Sequence, residues 1–417
     1  MSRNSNMISQ NINVIKDIFN ISDSESDKWS NTNSTATSIN DGFSSQQILL
    51  LEPEFEEKGI HNCPQLFRQQ FPTYDDFKKL VTQPISVNEI VRMANLEQHD
   101  AQTNEATEEW LTARKILNVV QRISGSTFGG IVGMNKYCSS QKSLMNYLWP
   151  SFTGNQMTAY GNHHEDDCEA AFDLYNQQRV KNKEIDCNNF VLVDFKISHF
   201  GIILDALKPH LGYSPDGMLT EFWRHNNGRT KVVYKLTEYK CPWSRRKFKL
   251  QDLTKKIDDL YPQNCIKHTN LVLPVPESYY CQMQLGMTMF QQYLTRSEAI
   301  NTKHTTIEKD TIDCDAVDCD TTYCAECMFV VWAPPETTTS AIKIFPNRQK
   351  NAIFVSSKLG TIEITKVSYN KEFASKMLKT ATQWWSHEYL PLAYEKGCGL
   401  LQTNEISTTK NIIDILL

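Results

Sequence analysis

Between Tyr213 and Trp243 the chain reads YSPDGMLTEFWRHNNGRTKVVYKLTEYKCPW, with Asp216 after a Ser-Pro step and Glu238, Tyr239 and Lys240 running into Cys-Pro. Asn227-Gly228 is a two-residue turn signal, because both positions accept positive φ. A turn there folds two strands, 218–223 and 231–241, into a hairpin whose entrance abuts its exit. Glu238 and Lys240, two apart, share one face of their strand. Pairing outward from the turn sets Asp216 opposite Tyr239, on the other face, so a bulge or a longer loop must re-aim the acid.

Two carboxylates and a lysine at one sheet end suit one chemistry well. Like charges a few Å apart repel, and hard oxygen ligands relieve that repulsion by binding Mg²⁺, which in turn grips phosphate oxygens. The lysine can orient or deprotonate an attacking water and neutralise charge on a phosphorane-like transition state. An isolated Glu-x-Lys is also an ordinary surface salt bridge, here Glu238 with Lys240 or Lys235.

The elements that must position these residues follow from the pattern around them. Residues 1–45 contain 19 Ser or Asn and few large apolar residues, the composition of a disordered tail. Residues 46–105 read as a helical region, with Ser86 capping a helix over Ser86–Gln98. A second helix is expected over Thr107–Gln121, then a glycine-rich connection over Gly125–Gly133. Met157–Gln178 has amphipathic helical spacing. Ser278–Leu294 is helical, Met328–Pro334 a buried strand, and Phe373–Glu395 a closing helix carrying Trp384 and Trp385. Mixed strands and helices around one central sheet make the fold class α/β or α+β, with residues 106–400 as its main domain and 401–417 as a tail.

Composition is that of a soluble protein: 417 residues, 40% apolar, net charge −5, and no run long enough to span a bilayer. Twelve cysteines without an export signal read as reduced thiols in an intracellular compartment. Between Arg224 and Lys256 eleven Lys or Arg stand against two acids, a stripe suited to a phosphate backbone or to an ordinary solvated surface.

Ser-Pro-Asp-Gly followed by Glu-x-Lys-Cys-Pro resembles the core of the PD-(D/E)XK nucleases, in the branch of lambda-type exonuclease, YqaJ-type viral recombinases and viral alkaline nucleases. The likeness extends outward in order. YGNHHEDDCEAAF resembles the helix with Gly-x-x-x-Glu, and YYCQMQLGM the Tyr-x-x-Gln-x-Gln-x-x-Met helix. EWLTARK…RISGSTFGGIVG resembles the Trp-x-x-x-Arg and Thr-Ala-Ser block, departing from it in a longer linker and in SGS for TAS. The five motifs span about Trp110 to Pro334 and look most like a baculovirus alkaline nuclease.

The resemblance implies a restriction-endonuclease-like core: a central mixed sheet flanked by helices, with an N-terminal helical extension. It implies Asp216 and Glu238 as metal carboxylates, completed by the Tyr239 carbonyl, with Glu165 on a second metal or its water. Glu169, one turn on, is the alternative to Glu165. Lys240 would assist the nucleophilic water, and Gln282 would hold Lys240 or the scissile phosphate. Arg114, Ser126 and Ser214 would grip a 5′-phosphate, and Arg246 would guide the DNA end. Arg245, Lys247, Lys249, Lys255 and Lys256 would contact backbone phosphates. His163 and His164 are expected to be surface or core histidines.

The implied activity is a Mg²⁺-dependent deoxyribonuclease, with Mn²⁺ able to substitute in a two-metal site. It would degrade linear double-stranded DNA 5′→3′, with endonuclease activity on single-stranded DNA besides, in viral replication and recombination. The implied partner is a single-stranded-DNA-binding annealing protein, and the place of action the host nucleus. Two alternatives stand beside it. One is a structure-specific endonuclease whose Cys314, Cys319, Cys324 and Cys327 hold zinc or an iron–sulfur cluster, although five interspersed acids place that stretch in a loop at the sheet edge. The other is a DNA-binding recombination mediator without catalysis.

Overall fold

The computed structural model describes residues 63–99, 106–117, 120–150, 154–247, 265–266, 273–305, 319–335, 343–346, 351–356 and 358–401. The expected N-terminal tail, Cys314, Lys249, Lys255 and Lys256 lie outside these residues. Two compact units emerge: one from Thr153–Phe200 with Ser214–Lys371, the other from Ser34–Phe152, Gly201–Tyr213 and Glu372–Leu417. Each is thus assembled from stretches distant in sequence, where the sequence reading drew its boundaries along the chain. No helix among the described residues is long and apolar enough to cross a membrane.

The first unit is built on a seven-stranded mixed sheet. Its strands are β1 (Phe190–Ser198), β2 (Gly217–His225), β3 (Thr230–Lys240), β4 (Cys319–Ala333), β5 (Lys343–Pro346), β6 (Asn351–Ser356) and β7 (Gly360–Ser368), in the order β5-β6-β7-β4-β3-β2-β1. The β3–β4 pair is parallel and the others are antiparallel. β4 begins at Cys319, earlier than expected, so from Cys319 on the cysteine-rich stretch is a strand beside β3 and not an edge loop. Backbone pairing of Cys319 with Thr230 through Val331 with Lys240 overrides its polar composition.

Helices cover both faces. The long stretch read as one amphipathic helix is two, α1 (Gln156–His163) and α2 (Glu165–Lys181), broken at His164. Asn155 caps α1, its Oδ1 accepting from the amides of Met157 and Thr158. On α2, Cys168, Ala171, Phe172 and Tyr175 form one stripe packed on Leu219, Tyr239, Cys241, Met328, Val330 and Trp332 of the sheet. Each large apolar side chain buried there contributes about 1.5–3 kcal/mol. α3 (Glu277–Thr305) buries Cys281, Met283, Leu285, Met287, Met289 and Phe290. Beneath α2, the Arg179 guanidinium bridges Glu184 and Glu221, and Lys235 joins Glu221 at 2.9 Å. Burial alone would raise the Glu221 carboxyl, but Arg179 and Lys235 hold it down at about 2.

The second unit is mostly helical. Thr73, Ser86, Thr107 and Ser139 cap its helices through their hydroxyls, as expected for Ser86. Two expectations are corrected here. The helix over Thr107–Gln121 ends at Ala113 and gives way to a small hairpin, Lys115–Ile116 with Val120–Gln121, because Leu117 adopts φ 53° at its tip. The glycine-rich connection is instead a helix, Gly125–Ile131. Ser124 and Thr127 form a capping box at its start, and a Cβ on Gly130 would stand 2.6 Å from Ser143 Oγ of the next helix, so close packing overrides poor glycine propensity. The closing helical run carries Trp384 and Trp385 into the core, at 3% and 1% exposure, which leaves neither ring open to stack on a base.

Candidate active site

Asp216 reaches the right face through the hairpin loop. His225 N donates to Arg229 O at 2.8 Å and Gly228 N to His225 O at 3.0 Å, so three residues, Asn226 to Gly228, turn the chain where two were expected. Gly228 takes φ 91°, the left-handed position that closes such loops. Gly217 consequently pairs with Thr237, and one step further brings Asp216 level with Glu238. A Cβ on Gly217 would sit 2.6 Å from Thr237 Oγ1, so the residue after the acid must be glycine for the strands to close.

Side chains alternate across β3 accordingly. Tyr239 packs against Phe172 of α2, their ring centroids 6.0 Å apart. Glu238 and Lys240 face α3. The Glu238 side chain is fully buried; its Oε1 accepts from Gln282 Nε2 at 2.6 Å and from Lys240 Nζ. Asp216 Oδ2 accepts from the Tyr239 amide at 2.7 Å and lies 3.5 Å from Lys240 Nζ. Lys240 Nζ also donates to Tyr239 O at 2.8 Å and stands 5.4 Å from the centre of the Tyr279 ring.

The ammonium of Lys240 therefore sits where the three oxygens expected to bind metal converge: Asp216 Oδ2, Glu238 Oε1 and Tyr239 O. Burial by itself would lower its pKa, but Asp216 and Glu238 hold it well above the usual lysine value. Glu165, the first residue of α2, is drawn into the same field. Burial first, then the charge of Asp216, pushes its carboxyl up to about 8, against the opposing pull of Lys240.

The donor set suits a hard divalent cation: two carboxylates and a carbonyl, with positive charge already at their focus. Among the described residues, however, no group of three or more His, Cys, Asp or Glu side chains is gathered to hold a metal ion. Glu165 is linked to the other acids by its field. Glu169, the alternative ligand, is engaged elsewhere: its Oε1 is 3.1 Å from His199 Nε2, and the other ring nitrogen of His199 is 3.3 Å from Asp216 O. The His199 pKa is raised, chiefly by the Glu169 hydrogen bond.

The remaining expected residues are spread more widely. Ser214 is half-buried, two residues before Asp216. Arg245 turns inward and does not present its charge to solvent: the 3₁₀ turn Trp243–Arg245 directs it to Glu363 Oε2 at 2.6 Å. Arg246 is exposed, its guanidinium 4.1 Å from the centre of the Trp243 ring, and Lys247 is exposed beside it. Arg114 and Ser126 belong to the second unit. There Arg114 lies 4.8 Å over the Trp110 ring, its pKa lowered by burial, and Ser126 Oγ is 3.3 Å from Ser124 Oγ. His164 is a packing residue, stacked 4.8 Å from Trp332 with Nδ1 2.7 Å from Asp167 Oδ2. Cys327 is buried on β4, and none of Cys63, Cys138, Cys168, Cys187, Cys241, Cys281, Cys327 and Cys398 is in a disulfide.

Sequence reasoning missed His199 and gave Tyr279 no role. Tyr279 had a signal, since it opens the Tyr-x-x-Gln pattern. His199 had none.

Sheet, flanking helices and the Asp216, Glu238, Lys240 cluster together make a mixed α/β core: a central mixed sheet flanked by helices, with two acids and a lysine gathered at one end. Residues 109–295 match the YqaJ-like viral recombinase domain. This stretch, which runs from before Trp110 through Gln282, is similar to that domain. A search of curated proteins finds no significant match. Two solved structures are similar: the Shutoff and Exonuclease Protein from Kaposi's sarcoma-associated herpesvirus, at 11% identity and TM-score 0.31 over 68% of this chain and 70% of that one, and the KSHV SOX RNA complex, at 11% identity and TM-score 0.34 over 75% and 77%.

Proposed function

We propose that the chain is a Mg²⁺-dependent deoxyribonuclease, a viral alkaline exonuclease that degrades linear double-stranded DNA from 5′ ends during replication and recombination. Endonuclease activity on single-stranded DNA, use of Mn²⁺, an annealing-protein partner and action in the host nucleus belong to the same reading. One observation carries it: Asp216, Glu238 and the Tyr239 carbonyl converge on a single cationic centre at the end of β3. The YqaJ-like match over 109–295 supports it.

Asp216, Glu238 and Tyr239 O would hold the cation, which when bound supplies Lewis acidity toward a phosphoryl oxygen. The other contributions come from the chain itself. Gln282 fixes the Glu238 carboxylate by hydrogen bonding to Oε1. Lys240, kept charged by its two acids, offers an ammonium to the negative charge that develops on phosphate. Glu165 holds its proton near neutrality and is the carboxyl able to exchange one with water there. Arg246 and Lys247 offer exposed positive charge to backbone phosphates.

The test uses the full chain with linear duplex labelled at either the 5′ or the 3′ end, in Mg²⁺. Early release of the 5′ label is expected, and Asp216→Ala and Glu238→Gln should each abolish it. Undiminished degradation by both variants overturns the reading.

A further inference from the structure

We propose that His199 and Glu169 form a positioning pair that ties the Asp216 turn to α2 and thereby sets the cation affinity of the site; this rests on the metal-dependent reading above. His199 lies just beyond the end of β1, and its ring spans two elements. Nε2 is 3.1 Å from Glu169 Oε1 on α2, and Nδ1 is 3.3 Å from the main-chain oxygen of Asp216. Both neighbours are acceptors, so each contact is a hydrogen bond when the ring nitrogen that makes it carries a proton.

The bridge joins the elements that carry two of the acids. Glu165 begins α2 one turn before Glu169, and Asp216 immediately precedes β2. Both are acids of the same site, carried on two separate elements whose spacing must be fixed for them to act together. Asp216 is anchored on its other side, where its carboxylate accepts from the Tyr239 amide at 2.7 Å. His199 supplies the opposing tie, from the main chain of Asp216 to the helix that carries Glu165. Such a tie leaves the reacting atoms untouched and acts through the placement of the carboxylates. Glu169 thus serves the site as the anchor for a histidine, without being a ligand.

The experiment measures Mg²⁺ binding to the full chain without DNA, by titration calorimetry, for wild type, Glu169→Gln, His199→Ala, His199→Gln and the Glu169→Gln/His199→Ala double variant. Melting in chelator confirms that each is folded, and Glu169→Gln, a near-isosteric change, keeps the test open should His199→Ala unfold. Loss of the tie is expected to weaken Mg²⁺ binding about 10–100-fold in either single variant. The double variant should be no worse than the poorer single, because the two residues act as one unit. His199→Gln, which keeps an amide donor, should recover part of the loss, and saturating Mg²⁺ should restore most of the cleavage rate. Unchanged Mg²⁺ affinity in both single variants overturns the pairing, as do losses that add in the double variant. Either result leaves wild-type binding and cleavage intact. A wild-type chain that neither binds Mg²⁺ nor cleaves overturns the nuclease reading itself, and the inference with it.

Discussion

The Tyr239 amide donates to Asp216 Oδ2 at 2.7 Å, which joins the first residue of the site to the strand that carries the other two. That contact depends on hairpin register. With the three-residue loop Asn226 to Gly228, Asp216 comes level with Glu238; with a two-residue turn it would stand level with Tyr239 and point to the opposite face.

Gly228 is the residue that lets the backbone take the longer loop, at φ 91° with nothing within 4 Å of where a Cβ would stand. Gly228→Ala therefore meets strain and no clash, and should destabilise the protein by about 1–2 kcal/mol. Urea unfolding would show this as a lower midpoint at unchanged slope, with cleavage per folded molecule within a few-fold of wild type. A neutral substitution would mean that the loop tolerates a different turn.

Gln282→Leu removes one donor from a carboxylate that has no exposure to water. A buried charge left short of a hydrogen bond relaxes toward other partners, here Lys240, and loses its set orientation. Cleavage should fall about 10–100-fold, with a higher Mg²⁺ requirement. Wild-type rates at limiting Mg²⁺ would show that Gln282 has no part in holding Glu238.

Much of the site was legible because its residues lie on elements with strong local signals. Asp216, Glu238 and Lys240 flank one turn, and Gln282 sits on a helix that is apolar nearly all round. The register was not legible, since Asn226-Asn227-Gly228 serves two-residue and three-residue turns equally well. The helix Gly125–Ile131 was hidden by its glycines, whose value shows only against Ser143 of the neighbouring helix. The strands Phe190–Ser198 and Gly360–Ser368 passed unread because charged residues interrupt them, while sheet pairing supplies what their pattern lacks. His199 could not be found at all, with partners 17 and 30 positions away and no periodicity to connect them.

His210 makes the second unit sensitive to acid. It is buried against the Trp385 ring, 4.6 Å between centres, and burial pulls its pKa down to about 3, with Lys208 and Arg122 adding to the effect. Because the folded value is the lower one, the unfolded chain takes up a proton near pH 6.5 that the folded chain refuses. Stability should be intact above that pH and fall as pH drops from 6.5 toward 3, by up to about 1.4 kcal/mol per unit. Urea midpoints at about pH 7 and about pH 5 would show the decline, and His210→Gln should flatten it. An equal decline in the variant would place the acid sensitivity elsewhere.

Lys240→Arg tests whether Lys240 must lose its proton for cleavage, which would give the activity an alkaline optimum. If Lys240 must shed its proton to activate water, the rate rises as the amine is freed, and arginine, which stays charged, removes that limb of the profile. The geometry argues otherwise. Burial favours the neutral amine, yet Asp216 and Glu238 outweigh it and keep Lys240 charged well past the ordinary lysine range. An ammonium so held acts by its charge. Lys240→Arg should then be slower, because a planar guanidinium cannot reproduce a point donor shared by three oxygens, while the pH at which its rate rises matches wild type. Loss of that limb in the variant would instead make Lys240 the titrating base.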